Sequence, residues 1–245
     1  MKKVFALLAF AAAVLVACDP NNPNNPDNPD DPDSGDYVAA IKIDGDFADW
    51  AKLPAANVAT ASCAADAYWT ALKTVKVYAD EYFIFVYFEW DKDQIAWDPD
   101  TEWVPFHIYL NGDGNGATGG FTDQFLNACA DVLYEGFLTD GNNFASYDPG
   151  AYLWEGEPNG EGWSWSADAV IAAGSGLASG AGVNGKYELA LVRELYPVGG
   201  KVADNFSIGF DIQQGWDSCG VLPNASVTED NSAGKAEMLQ VKTVK

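Results

Sequence analysis

The stretch Tyr82-Phe83-Ile84-Phe85-Val86-Tyr87-Phe88-Glu89-Trp90 decides the fold. Side chains alternate across an extended strand, so Tyr82, Ile84, Val86 and Phe88 share one face and Phe83, Phe85 and Tyr87 the other. Both faces are apolar, which predicts a central strand of a packed sheet. Just upstream, Val75 to Ala79 and the Asp80-Glu81 step supply the other arm of a hairpin. Downstream, Val104, Phe106, Ile108 and Leu110 alternate with Pro105, His107 and Tyr109, a strand buried on one side. The cleanest alternation sets Phe206, Ile208, Phe210 and Ile212 against Ser207, Gly209 and Asp211. Further strands are predicted at 131–138, 151–155, 163–171, 186–193, 205–213 and 237–244, and only 61–72 and 122–130 suggest short helices. Twenty-four Gly punctuate these runs. Many short strands with such turns predict one all-β domain over residues 37–245, an antiparallel β-sandwich of jelly-roll type.

Composition narrows the function. Of 245 residues, 48% are hydrophobic and 13% aromatic, which excludes a disordered chain. Asp and Glu number 36 against 13 Lys and Arg, and the net charge of −23 repels phosphates, which argues against a nucleic-acid partner. The single His excludes poly-His metal sites. No apolar run beyond residue 17 approaches the ~18 residues that a membrane-spanning helix needs.

The first 36 residues read as an address. Met1-Lys2-Lys3 is a positive n-region and Val4 to Val16 an apolar h-region, together an export signal over residues 1–17. The ending Leu15-Val16-Ala17-Cys18 resembles a bacterial lipoprotein signal, which implies cleavage before Cys18 and acylation of that residue. More than one acyl chain makes such an anchor stable. Residues 18–36 then carry Pro at 20, 23, 26, 29 and 32 with Asn and Asp between. Pro at every third position matches polyproline II, so this segment is expected to be a stiff, solvated tether. Asp-rich tethers of this kind resemble those of Bacteroidetes surface lipoproteins. The expected location is the bacterial cell envelope, on the outer membrane and facing the cell surface.

The domain itself opens with Ile41-Lys42-Ile43-Asp44-Gly45-Asp46-Phe47-Ala48-Asp49-Trp50. This opening resembles that of the family 9 carbohydrate-binding module-like domains, related to the DOMON sandwich. Tyr78 to Val86 resembles their central hairpin. Ile108-Tyr109-Leu110-Asn111-Gly112-Asp113-Gly114-Asn115 resembles their apolar strand followed by an Asp/Asn loop. Ala130 to Gly136 is similar to their Ala-Asp-Tyr-x-Glu-Gly strand, and Tyr187 to Leu191 and Ile208 to Phe210 to their later strands. The resemblance implies a sandwich and, less specifically, sugar binding, since one fold hosts many functions. From the residues alone, Asp44-Gly45 permits a tight turn, and Trp50 is expected to cover one end of the core.

Several constellations are candidates for chemistry. In Asn111-Gly-Asp113-Gly-Asn115-Gly116 alternate oxygen side chains imitate the start of a calcium loop, and Asp123 and Asp131 could complete a shell for structural Ca2+. The twelfth place is Thr122 rather than Glu, so the loop is not an EF-hand. Nine Trp invite sugar stacking, and Trp97, Trp103, Trp154, Trp163, Trp165 and Trp216 read as loop or edge aromatics. Trp163 and Trp165 would share one strand face. Asp211, Gln213, Gln214 and Asp217 near Trp216 could supply polar contacts. His107 and Met238 are the available axial ligands for a haem, the remote alternative implied by the DOMON relationship; both lie on polar strand registers. Cys63, Cys129 and Cys219 allow three disulfide pairings and leave one thiol over. No nucleophile elbow accompanies His107, and no carboxylate pair is singled out among the acids, so a non-enzymatic chain is expected. The expected function is a lipid-anchored module binding glycan by aromatic stacking; the alternative is a surface adhesion or scaffold module binding a protein.

Overall fold

The computed structural model describes residues 37–94, 103–126, 129–140, 143–144, 147, 149–168, 177–178, 185–195 and 200–245. Its strands are β1 (Ala59–Ser62), β2 (Leu72–Ala79), β3 (Phe83–Trp90), β4 (Trp103–Asn111), β5 (Val132–Asp140), β6 (Asn143–Phe144), β7 (Gly150–Leu153), β8 (Leu177–Ala178), β9 (Lys186–Val192), β10 (Asn205–Gln214), β11 (Asp217–Leu222) and β12 (Leu239–Lys242). One sheet has the order β1-β2-β3-β9-β8. The other has the order β11-β10-β4-β5-β6, with β12 also on β10 and β7 also on β5. Every pairing between strands is antiparallel. The protein is an all-β antiparallel sandwich.

The inner faces meet in one apolar core. Val75, Val77, Ile84, Val86, Phe88, Leu189 and Leu191 from the first sheet pack on Phe106, Ile108, Leu110, Tyr134, Phe206, Phe210 and Ile212 from the second. Phe88 stacks on Phe106 at 4.5 Å between ring centroids, and Phe106 on Phe210 at 6.2 Å. Each such side chain contributes about 1.5–3 kcal/mol by leaving water. The alternation read in β4 and β10 is the alternation that builds this core.

The predicted hairpin forms as β2 and β3. The side chain of Asp80 makes the turn, with its Oδ1 accepting from the Tyr82 and Phe83 amides at 2.8 and 2.9 Å. The guanidinium of Arg193, fully buried, holds that turn by donating to the Asp80 carbonyl at 2.6 Å and to the Val202 carbonyl at 2.7 Å.

Three sequence expectations give way to tertiary contacts. Residues 61–72 form no helix: Ala61 and Ser62 belong to β1, and the segment after them is drawn onto β11 by the Ala71 amide donating to the Cys219 carbonyl at 2.9 Å. Residues 122–126 make a turn rather than a helix, with Phe125 fully buried. At 163–168 only Trp165 pairs, in a single bridge to Trp154, so no strand forms there. The short strands β1, β6, β8 and β11 carry little alternation and were not legible.

Candidate functional site

Each sheet also has an outer face, and the chain treats the two differently. On the first sheet, Tyr78, Phe83, Phe85 and Tyr87 point away from the sandwich core. The N-terminal segment lies over them, contributing Ile41, Ile43, Phe47, Trp50 and Leu53. This is why β3 is apolar on both faces. Trp50 therefore covers the outer face of this sheet, not an end of the central core. The pin is Glu188 on β9, whose side chain is fully buried. Its Oε1 accepts from the amides of Asp44 at 3.1 Å and Gly45 at 2.8 Å, and its Oε2 from Trp50 Nε1 at 3.1 Å. Burial raises the Glu188 carboxyl, while these three donors pull it back down.

The outer face of the second sheet is covered only in part. Phe125, Trp154 and Trp165 are brought by loops onto Tyr109 and Leu133. Gly209 on β10 makes room for this: a Cβ there would stand 2.5 Å from the Phe125 ring. Met238 joins the same apolar cluster and is 5% exposed, so its expected polar face is overturned by the Phe125 loop that covers it.

Beyond this apolar cover the face turns polar. Register sets Glu135 on β5 opposite His107 on β4, and His107 opposite Asp211 on β10, one row across three strands. His107 is 2% exposed and Asp211 fully buried. His107 Nε2 stands 2.9 Å from Glu135 Oε2. Gln213 Nε2 lies 2.7 Å from Asp211 Oδ2 and 3.2 Å from His107 Nδ1. An ionised Asp211 can only accept, so the Gln213 amide nitrogen donates there. Ser218 donates to Asp211 Oδ2 at 2.9 Å. Two buried acceptors in this row, Asp211 Oδ1 and Gln213 Oε1, have no partner among the described residues. Burial pushes the Asp211 carboxyl up to about 6, against the opposing pull of Gln213, His107 and Ser218.

Two exposed indoles stand beside this row. Trp163 is 67% exposed with its ring 6.4 Å from the His107 ring, and Trp216 is 58% exposed at 6.3 Å. Phe137 flanks Trp216 at 6.0 Å. Trp216 follows Gly215 in the two-residue turn between β10 and β11, and both have positive φ, 58° and 73°. That is the pattern of a type I′ turn, which favours Asn-Gly or Gly at these places. A bulky Trp in the left-handed region is strained by roughly 1–3 kcal/mol, and more than half of its surface is left in solvent.

The six predicted Trp separate accordingly. Trp163 and Trp216 flank the polar row, although no strand face joins Trp163 to Trp165. Trp165 is buried against Trp154, whose Nε1 donates to the Glu157 carbonyl at 3.0 Å. Trp103 begins β4, and Trp97 lies outside the described residues. Of the polar residues predicted near Trp216, Asp211 and Gln213 belong to the row, while Asp217 is exposed and Gln214 half-buried. Glu135, Ser218 and the site role of His107 were missed. Glu135 does break the apolar run of its strand, but what it faces depends on a register that one strand's sequence does not carry.

The other candidates are placed as follows. Asp113 Oδ1 accepts from the Asn115 amide at 2.7 Å and Oδ2 from Thr118 Oγ1 at 2.9 Å. Asn115 Oδ1 accepts from the Ala117 amide at 3.0 Å, and Asp131 Oδ2 from the Gly112 amide at 3.1 Å. Asn111 is buried and Asp123 exposed. Among the described residues no group of three or more His, Cys, Asp or Glu converges as a metal centre. No disulfide joins any two of Cys63, Cys129 and Cys219, and burial pushes Cys219 up to about 12. Cys18 and the whole of residues 1–36 lie outside the described residues. Among the described residues no helix is long and apolar enough to cross a membrane.

Comparison with known proteins finds no matching family model, no matching curated protein and no matching solved structure.

Proposed function

We propose that the protein is a non-catalytic module that holds a glycan on the outer face of the β4, β5 and β10 sheet. It would be tethered to the bacterial cell envelope through an acylated Cys18, on the outer membrane. The observation that carries the binding reading is the pairing of exposed indoles with unpartnered buried acceptors. Trp163 and Trp216 stand beside a row in which Asp211 Oδ1 and Gln213 Oε1 accept from no group among the described residues. A pyranose supplies both complements, an apolar C–H patch for an indole face and hydroxyl donors for the acceptors. A buried acceptor left empty costs about 1–3 kcal/mol, so a ligand hydroxyl that fills it recovers that penalty on binding. The resemblance of the Ile41 to Trp50 and Ala130 to Gly136 segments to carbohydrate-binding sandwiches is consistent with this reading.

The test is a glycan-array screen of the detergent-solubilised full chain beside its Trp163→Ala/Trp216→Gly double variant. A signal on defined glycans that the double variant loses is expected. Silence of the wild-type chain on a broad array, or binding unchanged in the double variant, would reject the site. Anchoring is tested separately: metabolic labelling with radioactive palmitate should mark the wild-type chain and not Cys18→Ser.

A further inference from the structure

We propose that the glycan recognised at this site carries a free, protonated amine, an inference that rests on the glycan reading above. The geometry is that of a cation site. Glu135, His107 and Asp211 form one row, with both carboxylates on the same outer face. His107 lies between them, its Nε2 2.9 Å from Glu135 Oε2 and its Nδ1 3.2 Å from Gln213 Nε2. The local field is negative: burial first, then the charges of Asp211, Glu135 and Asp123, push the enclosed Tyr109 hydroxyl upward. Glu135 keeps 18% of its side chain exposed, so one carboxylate remains within reach of a ligand.

Three features of the site ask for the same ligand chemistry. An ammonium is attracted to the face of an indole, and two indoles are exposed here. An ammonium has three N–H donors and no acceptor, which suits the two acceptors of the row that have no partner among the described residues, Asp211 Oδ1 and Gln213 Oε1. A hydroxyl satisfies one acceptor with one donor and brings no positive charge to the two carboxylates. A uronate or sulfate would bring a third negative charge to the row.

Three disaccharides with a similar stacking surface separate the possibilities: the β-1,4-linked glucosamine dimer, cellobiose, and a galacturonate dimer. Binding is measured by calorimetry to the detergent-solubilised full chain at physiological salt. The glucosamine dimer is expected to bind at least tenfold more tightly than cellobiose, and the galacturonate dimer not at all. Asp211→Asn and Glu135→Gln should each erode that tenfold preference.

A chain of net charge −23 attracts amines anywhere on its surface, so Trp216→Gly, which changes no charge, is the control. Glucosamine binding that survives it would be diffuse attraction and would overturn the inference. Equal or tighter binding of cellobiose would also overturn it while the glycan reading stands. Silence toward all three sugars would defeat both.

Discussion

The two outer faces of the sandwich solve one problem in opposite ways. Each carries a fully buried carboxylate on an inner strand of its sheet, Glu188 on β9 and Asp211 on β10. Burying a carboxylate is costly unless donors replace the lost water. Around Glu188 the chain supplies three donors, two backbone amides and the Trp50 indole, and both oxygens are used. Around Asp211 the described residues supply two donors, both to Oδ2, and leave Oδ1 without a partner. The aromatic residues follow the same division. On the first face Trp50 is buried under its own hydrogen bond; on the second Trp163 and Trp216 are left in solvent. A carboxylate completed from within the chain belongs to the fold. One left incomplete beside two exposed indoles, one of them strained, is what the proposed binding site requires.

The largest expected effect falls on the closed face. Glu188→Ala leaves three donors behind, and at about 1–3 kcal/mol per stranded group should destabilise by about 4 kcal/mol. Thermal unfolding followed by circular dichroism would then show a Tm lower by about 8–16 °C. A loss under 1 kcal/mol would mean that the N-terminal segment does not depend on this pin.

Asp211 should behave in the opposite sense. Its folded pKa, about 6, lies above the ordinary 3.8. The folded state therefore binds its proton more tightly, so its contribution favours folding below about pH 3.8 and is lost as pH rises through 6. Asp211→Asn is expected to stabilise the chain at pH 7 by up to about 3 kcal/mol and to bring no gain near pH 4. Chemical denaturation of both chains at the two pH values measures this. A destabilised Asn variant at pH 7 would place Asp211 with Glu188 as a structural group.

Trp216→Gly sharpens the contrast further. Glycine relieves the φ of 73°, so stability should rise by about 1 kcal/mol while glycan affinity falls at least tenfold. Denaturant midpoint and calorimetric affinity, moving in opposite directions, are the signature of a residue kept for binding. The smallest stability effect belongs to Trp163→Ala, which should change the unfolding free energy by less than about 0.5 kcal/mol and still weaken glycan binding. If Trp163→Ala destabilised the chain as a core substitution does, its indole would be part of the cover rather than of the site.

How much of this could be read from the chain alone differs by level. Local alternation carried the core of β3, β4 and β10, because a strand with one buried face writes its burial at every second residue. It also carried the double burial of β3, though not that residues 41–53 supply the cover. The site was half legible. Trp216, Asp211 and Gln213 are close in sequence, and the turn that joins them is local. Glu135 and His107 reach the same place only through the β5-β4-β10 register, which is a tertiary property. Trp163 and Trp165 illustrate the limit: two residues apart, one is exposed and the other buried, because Trp154 bridges Trp165 and no strand forms around Trp163. Met238 shows it again, since the loop that buries it is set by Phe125 resting on Gly209.

The most direct measurement reads both faces in one spectrum. In the full chain labelled with 15N, each indole N–H gives its own signal, and titration with a glycan that binds reports which indoles sense it. The account predicts that the Trp163 and Trp216 signals move and that of Trp50, sealed against Glu188, stays fixed. Movement of Trp50 with Trp163 and Trp216 unchanged would contradict it.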